Sequence, residues 1–146
     1  MLRCVAALLA ALALFGCSTP TGRRVCLDFV ASEDMNLFDG EPHAVVVRLY
    51  PLQERASFER LSADELIEGA KPEGMLGNPY ETTIVPGEKR ELRERFPLET
   101  LFIGIVADYY RASGDASGVR SMTTRGGCGW FSTRRIALGP RDLPKE

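Results

Sequence analysis

Apolar and polar side chains alternate with period two along most of the chain beyond residue 24. From Val25 to Ala31, the apolar Val25, Leu27, Phe29 and Ala31 share a face opposite Cys26, Asp28 and Val30, which predicts a strand with one dry side. Ala44 to Leu52 predicts a second: Val45, Val47 and Leu49 face one way, Val46, Arg48 and Tyr50 the other, and β-branched residues are frequent. At Ser62 the period changes. Ser62, Ala63, Asp64 and Glu65 form a capping box over Leu66 and Ile67, so a short helix is predicted that ends near Gly69. Lys71 to Pro79, rich in Pro and Gly, reads as a loop. Tyr80 to Val85 and Lys89 to Phe96 predict a hairpin through Pro86, Gly87 and Glu88. The charge of its second arm (Lys89, Arg90, Glu91, Arg93, Glu94, Arg95) places that arm at a sheet edge. Leu101 to Tyr110 is apolar at both parities and suits a central strand. Val119 to Thr124 and Gly129 to Leu138 complete roughly seven strands at sandwich-like spacing.

The connection from Ser32 to His43 is no ordinary turn. Acidic Glu33, Asp34, Asp39 and Glu41 are interleaved with apolar Met35, Leu37 and Phe38 around Asn36 and Gly40. Apolar side chains on a loop either fold back onto their own core or present an interaction patch, and both outcomes are open here.

The first residues follow another rule. Arg3 supplies a positive start, Val5 to Phe15 form an apolar run too short to span a bilayer as a helix, and small Gly16 precedes Cys17. Leu14, Phe15, Gly16 and Cys17 together read as a lipoprotein cleavage box. The expected organisation is a lipoprotein signal peptide over 1–16, a flexible tether over 17–24 and one β-sandwich domain over 25–146. Acyl chains on Cys17 would hold the mature chain in a membrane, each buried methylene contributing roughly 0.8 kcal/mol. Ser18 after the Cys, where retention in the inner membrane often goes with Asp, favours the outer membrane with the body facing the periplasm.

Composition narrows the function further. Eighteen Lys and Arg against 20 Asp and Glu give a formal charge of -2, and losing Arg3 lowers it to -3, with no concentrated basic face of the kind nucleic acid demands. Of four cysteines, Cys4 leaves with the signal and Cys17 is the anchor. Cys26 and Cys128 remain in an oxidising compartment, and parity alone suggests a disulfide between them. Zinc needs three or four ligands, and beyond these thiols there is only His43, so neither a metal nor another cofactor is expected. His43 beside Pro42 reads as a solvent-facing turn histidine with no nucleophile motif nearby, which argues against an enzyme or a small-molecule substrate. Asp108 is expected to pair with Arg111 or Arg48, and Tyr109 and Tyr110 to pack on the sandwich.

Several of these segments carry a resemblance. Ala31, Ser32, Asn36, Gly40 and Pro42, followed by Val45 to Tyr50, are similar to the signature of the outer-membrane lipoproteins of type VI secretion systems, the TssJ (VasD or SciN) family. Pro86-Gly87-Glu88 resembles its next landmark, and Ile103 to Arg111 its late central strand. The resemblance implies an all-β, two-layer transthyretin-like β-sandwich with a short helical insertion. It also implies a lipid anchor in the inner leaflet of the outer membrane, and binding to the periplasmic C-terminal region of the inner-membrane component TssM, which fixes the membrane core complex. In that family the loop between the first two strands grips the partner, which here points to Glu33, Asp34, Met35, Asn36, Leu37, Phe38, Asp39 and Gly40. The chain departs from the pattern where Leu37 and Phe38 follow Asn36 in place of the frequent Pro and Asp, in lacking a Trp near Gly118 and Val119, and at Arg125 to Trp130. The alternative is a periplasm-facing lipoprotein of similar fold that binds another envelope protein or a small hydrophobic ligand.

Overall fold

The computed structural model describes residues 22–110, 119–125, 128 and 133–141; the expected signal peptide, Cys17 and most of the expected tether lie outside these residues. Two sheets face one another. Strands β1 (Arg23–Ala31), β6 (Lys89–Phe96) and β9 (Arg134–Leu138) form one, in the order β6-β1-β9. Strands β4 (Val45–Leu52), β5 (Tyr80–Ile84), β7 (Phe102–Asp108) and β8 (Val119–Arg125) form the other, in the order β5-β4-β7-β8. The connection after β1 contains a two-residue ladder, β2 (Leu37–Phe38) with β3 (Glu41–Pro42).

The alternation read from the sequence faces the layers as expected. Val25, Leu27, Phe29 and Ala31 of β1 meet Val45, Val47 and Leu49 of β4 and Ile103, Ile105 and Ala107 of β7 in one buried core. At roughly 1.5–3 kcal/mol for each fully buried large aliphatic or Phe side chain, this layer is the main stabilising term. The outer face of the four-stranded sheet is covered by two helices, α1 (Ala56–Glu59) and α2 (Ala63–Ile67). There Tyr50, Leu52, Phe58, Leu66 and Val106 make a second buried cluster. A Cβ on Gly104 would lie 2.5 Å from the Phe58 ring, so the missing side chain in β7 is what lets α1 settle onto the sheet.

The capping box of α2 forms completely. Ser62 Oγ accepts from the Glu65 amide at 3.2 Å and the Ser62 amide donates to the Glu65 carboxylate at 2.8 Å. At the other end the Ala70 amide reaches the Glu65 carbonyl and the Gly69 amide the Leu66 carbonyl, with Gly69 at φ 102°, a left-handed stop. Tyr50 donates its hydroxyl to the Leu66 carbonyl at 2.9 Å and pins the helix to the sheet. Burial, the larger influence, raises the Tyr50 pKa above its ordinary value despite the opposing Arg48 charge, which keeps the phenol a donor.

Three expectations are corrected. Tyr80–Ile84 and Lys89–Phe96 are not a hairpin: β5 pairs with β4 and β6 pairs with β1, so Pro86-Gly87-Glu88 is a corner between layers. Both arms turn one apolar face to the same core, and that alternation is identical for a hairpin and for a crossing. Arg23 and Arg24, assigned to the tether, open β1 opposite Phe96 and Arg95, because ladder hydrogen bonds use only the backbone. Arg48 does not pair with Asp108. It binds Glu81, directly opposite on β5, at 2.8 Å and donates to the Ile67 carbonyl at 2.7 Å, while Asp108 lies opposite Val46. Arg111 lies outside the described residues.

The edge position of β6 and the central position of β7 follow the charge and apolarity read from the sequence. β9 begins at Arg134, and the earlier part of its predicted span, 129–132, lies outside the described residues. Cys26 and Cys128 form a disulfide across a separation of 102 residues, with Cα atoms 4.9 Å apart. It ties β1 to the segment leading into β9, which runs parallel to it.

Candidate functional site

The strand directions collect four connections at one end of the sandwich. β1 and β9 arrive there, β6 leaves from there, and β7 runs out into Tyr109 and Tyr110. Backbone hydrogen bonds knit these connections together: the Ser32 amide to the Leu138 carbonyl, the Gly87 amide to the Ser32 carbonyl and the Leu37 amide to the Pro140 carbonyl, all between 2.9 and 3.1 Å. The 32–43 loop is therefore braced by two neighbouring segments, the end of β9 and the corner before β6. Such a scaffold lets a loop hold a fixed shape for recognition.

Asn36 is the internal clamp. It sits at φ 52°, a left-handed conformation that Asn tolerates better than most residues, and its side chain is buried. Its amide nitrogen donates to the Ala44 carbonyl at 3.1 Å and its amide oxygen accepts from the Tyr110 backbone N–H at 2.6 Å. One side chain thus joins the loop to the start of β4 and to the end of β7. Met35, immediately before it, is fully buried in the main core. Asp39 and Gly40 also take positive φ, 52° and 79°, which closes the β2–β3 turn.

The remaining apolar residues of the loop point outward. Leu37 is 41% exposed and Phe38 37%, and the Phe38 ring packs against the ring of Tyr110, itself 49% exposed, with centroids 3.5 Å apart. The ring centroid of His43 lies 6.0 Å from that of Phe38. The result is an exposed patch of Leu37, Phe38 and Tyr110, rimmed by the exposed acids Glu33, Asp34, Asp39 and Glu41.

The eight loop residues singled out from the sequence thus divide. Glu33, Asp34, Leu37, Phe38, Asp39 and Gly40 are accessible, whereas Met35 and Asn36 are buried and brace the loop from within. Met35 is the loop's link to the core, because the turn after Ser32 carries it back under β4. Tyr110 was missed as a site residue and expected to pack on the sandwich. Its parity held the signal: Ile103, Ile105, Ala107 and Tyr109 face the core, so Tyr110 must face the other way.

Among the described residues no group of three or more His, Cys, Asp and Glu side chains is placed to hold a metal ion, and no helix is long and apolar enough to cross a membrane. A rigid β-sandwich that presents a braced aromatic and aliphatic patch within an acidic rim defines a binding module.

The sequence places that module in a family. The pattern of the type VI secretion lipoproteins, described as VasD, EvfM and TssJ, matches residues 23–127, and the chain belongs to this family. Among solved structures it is similar to the type VI secretion lipoprotein TssJ1 from Pseudomonas aeruginosa, with 23% identity, a TM-score of 0.67, and coverage of 84% of this chain and 94% of that one. Serratia marcescens Lip, a membrane-bound component of the type VI secretion system, gives 19% identity and a TM-score of 0.63 over 86% of this chain and 98% of that one. A structure described as the type VI secretion protein TssM C-terminal domain (869–1107) from EAEC gives 20% identity and a TM-score of 0.68 over 84% and 96%. No curated protein matches the chain in sequence.

Proposed function

We propose that the chain is an outer-membrane lipoprotein, anchored through acylated Cys17, whose loop end binds the periplasmic domain of a TssM-like inner-membrane component and so fixes the secretion system's membrane complex. The observation that carries this reading is the exposed Leu37–Phe38–Tyr110 patch, held rigid by Asn36. Aromatic anchors that need no ordering on binding lose little conformational entropy, and such residues dominate interface energetics. The likeness to the TssM C-terminal domain structure indicates which component to test as the partner. The acidic rim favours a partner face bearing Lys or Arg.

Position supports the same reading. β1 starts at Arg23 and ends at Ala31, nine residues that span about 30 Å at strand rise. A membrane anchor just before β1 therefore joins the body at the end opposite the patch.

Replacing Leu37, Phe38 and Tyr110 together by Ser is expected to weaken binding to the partner's periplasmic domain by more than about 2 kcal/mol in calorimetric titration, while the melting temperature stays close to wild type because the three are exposed. Undiminished affinity would place the interface elsewhere. Cys17→Ala is expected to release the chain from membrane fractions. Firm retention of that variant in the membrane pellet would refute the acyl anchor.

A further inference from the structure

The opposite end of the sandwich has unpartnered chemistry of its own. There β1 begins, β6 ends, and the turn from Pro97 to Thr100 leads toward β7. The Thr100 amide closes this turn on the Pro97 carbonyl at 3.0 Å, with Leu98 at its tip. Leu98 is 63% exposed and Leu101 46%, although turn tips usually carry polar residues. An open groove lined by Gly22, Arg95, Phe96 and Pro97 runs beside them.

The charges at this end break a local rule. In the β1–β6 ladder Arg24 stands directly opposite Arg95, and like charges at directly opposed positions destabilise strand pairing. Neither of them, nor Arg23 beside them, is ion-paired among the described residues. No carboxylate among the described residues is ion-paired with them to offset that repulsion, and an external anion is the natural partner.

The covalent chain limits what that partner is. Residues 1–21 join the sandwich at Gly22, which is pressed onto β6 so closely that a Cβ would lie 2.6 Å from the Phe96 carbonyl oxygen. Cys17 is five residues away, at most about 18 Å along a fully extended chain. An acylated Cys17 holds this end near the bilayer and leaves the patch far from it.

We propose that this end is a second, non-covalent membrane contact: Leu98 and Leu101 enter the boundary between headgroups and acyl chains while Arg23, Arg24 and Arg95 engage the lipid phosphates. The inference rests on the acyl-anchor reading above and extends it, because a tether alone would let the body tumble whereas this contact stands the sandwich upright with its patch outward. The occupant is the phospholipid surface, since an apolar tip flanked by guanidinium groups that make no ion pair among the described residues matches apolar chains beneath a layer of phosphates. The exposed Glu99 beside Leu98 keeps the insertion shallow.

The test uses full-length chain purified from envelopes, carrying Leu98→Trp or Phe38→Trp, in vesicles of phosphatidylethanolamine and phosphatidylglycerol with brominated acyl chains. The wild-type chain, with Trp130, sets the background. The indole at position 98 is expected to be quenched and blue-shifted and the one at 38 to remain unquenched; equal quenching at both positions, or none at 98, overturns the proposal. Arg24→Gln combined with Arg95→Gln should remove the dependence of quenching on phosphatidylglycerol, and an unchanged dependence would count against the arginine contacts. Mass spectrometry of the amino-terminal peptide scores acylation separately. An acylated chain unquenched at 98 keeps the anchor and loses this contact, whereas an unacylated chain quenched at 98 loses the anchor and keeps the contact.

Discussion

Asn36 shows how much a single side chain decides. It adopts left-handed φ, spends both its amide oxygen and its amide nitrogen on backbone partners, and holds the loop to the start of β4 and the end of β7, neighbouring strands of the four-stranded sheet. Removing a buried partner of this kind leaves its mates unsatisfied, at about 1–3 kcal/mol. Asn36→Ala is accordingly expected to lower unfolding free energy by that amount in urea titration, and to weaken partner binding although residue 36 is buried. Wild-type stability in that variant would show that the clamp is redundant. Its neighbours divide by direction: Met35 is sealed in the core while Leu37 and Phe38 face solvent. That division was not legible in sequence, where all three are simply apolar residues in an acidic loop. It depends on the Asn36 conformation, which turns the chain between them.

At the scale of elements, helix α2 was legible because its signal is local. The capping box lies within four residues and forms as written, with Ser62 and Glu65 exchanging hydrogen bonds. The donation from the Ser62 backbone, helped by its hydroxyl, holds the Glu65 carboxyl below the usual glutamate range. A carboxylate stabilised in the folded state contributes above its unfolded pKa, and that contribution is lost as pH falls through the lowered folded value. Glu65→Gln mimics the protonated form, so the melting-temperature gap between it and wild type should be present at neutral pH and close as the solution is acidified below the carboxylate range. A gap independent of pH would show that the charge of Glu65 is immaterial to the helix. Helix α1, by contrast, went unpredicted. It is four residues long, no side chain caps its start, and Phe58 holds it in place by lying over Gly104, a contact 46 positions along the chain.

For the whole molecule, the disulfide joins the beginning of the fold to its end. In the chain-entropy account, closing a loop of this length stabilises by up to roughly 4–5 kcal/mol, and native bonds of this type typically contribute about 2–5 kcal/mol. Cys26→Ala combined with Cys128→Ala should therefore lower the melting temperature markedly under oxidising conditions and abolish the difference that a reductant makes to the wild-type chain. If reductant leaves the wild-type melting curve unmoved, the bond is not a stabilising element. Charge is also distributed by end: acids gather on the 32–43 loop and arginines where the chain enters the sandwich. One end suits a basic protein face, the other a phospholipid surface.

What the sequence by itself determined is whatever short-range periodicity encodes: which residues of β1 and of β4 share a face, the capped helix, the charged edge strand and the apolar central one. Those features depend on neighbours two to four positions apart, and the alternation of side chains on a strand is unaffected by which strand lies beside it. Only the tertiary structure decided the partners. It sent β5 and β6 into different sheets, set Tyr110 against Phe38 across 72 positions, and faced Arg24 with Arg95. The physical reason is that pairing between distant segments is chosen by the burial of a shared core, to which every strand with one apolar face contributes in the same way.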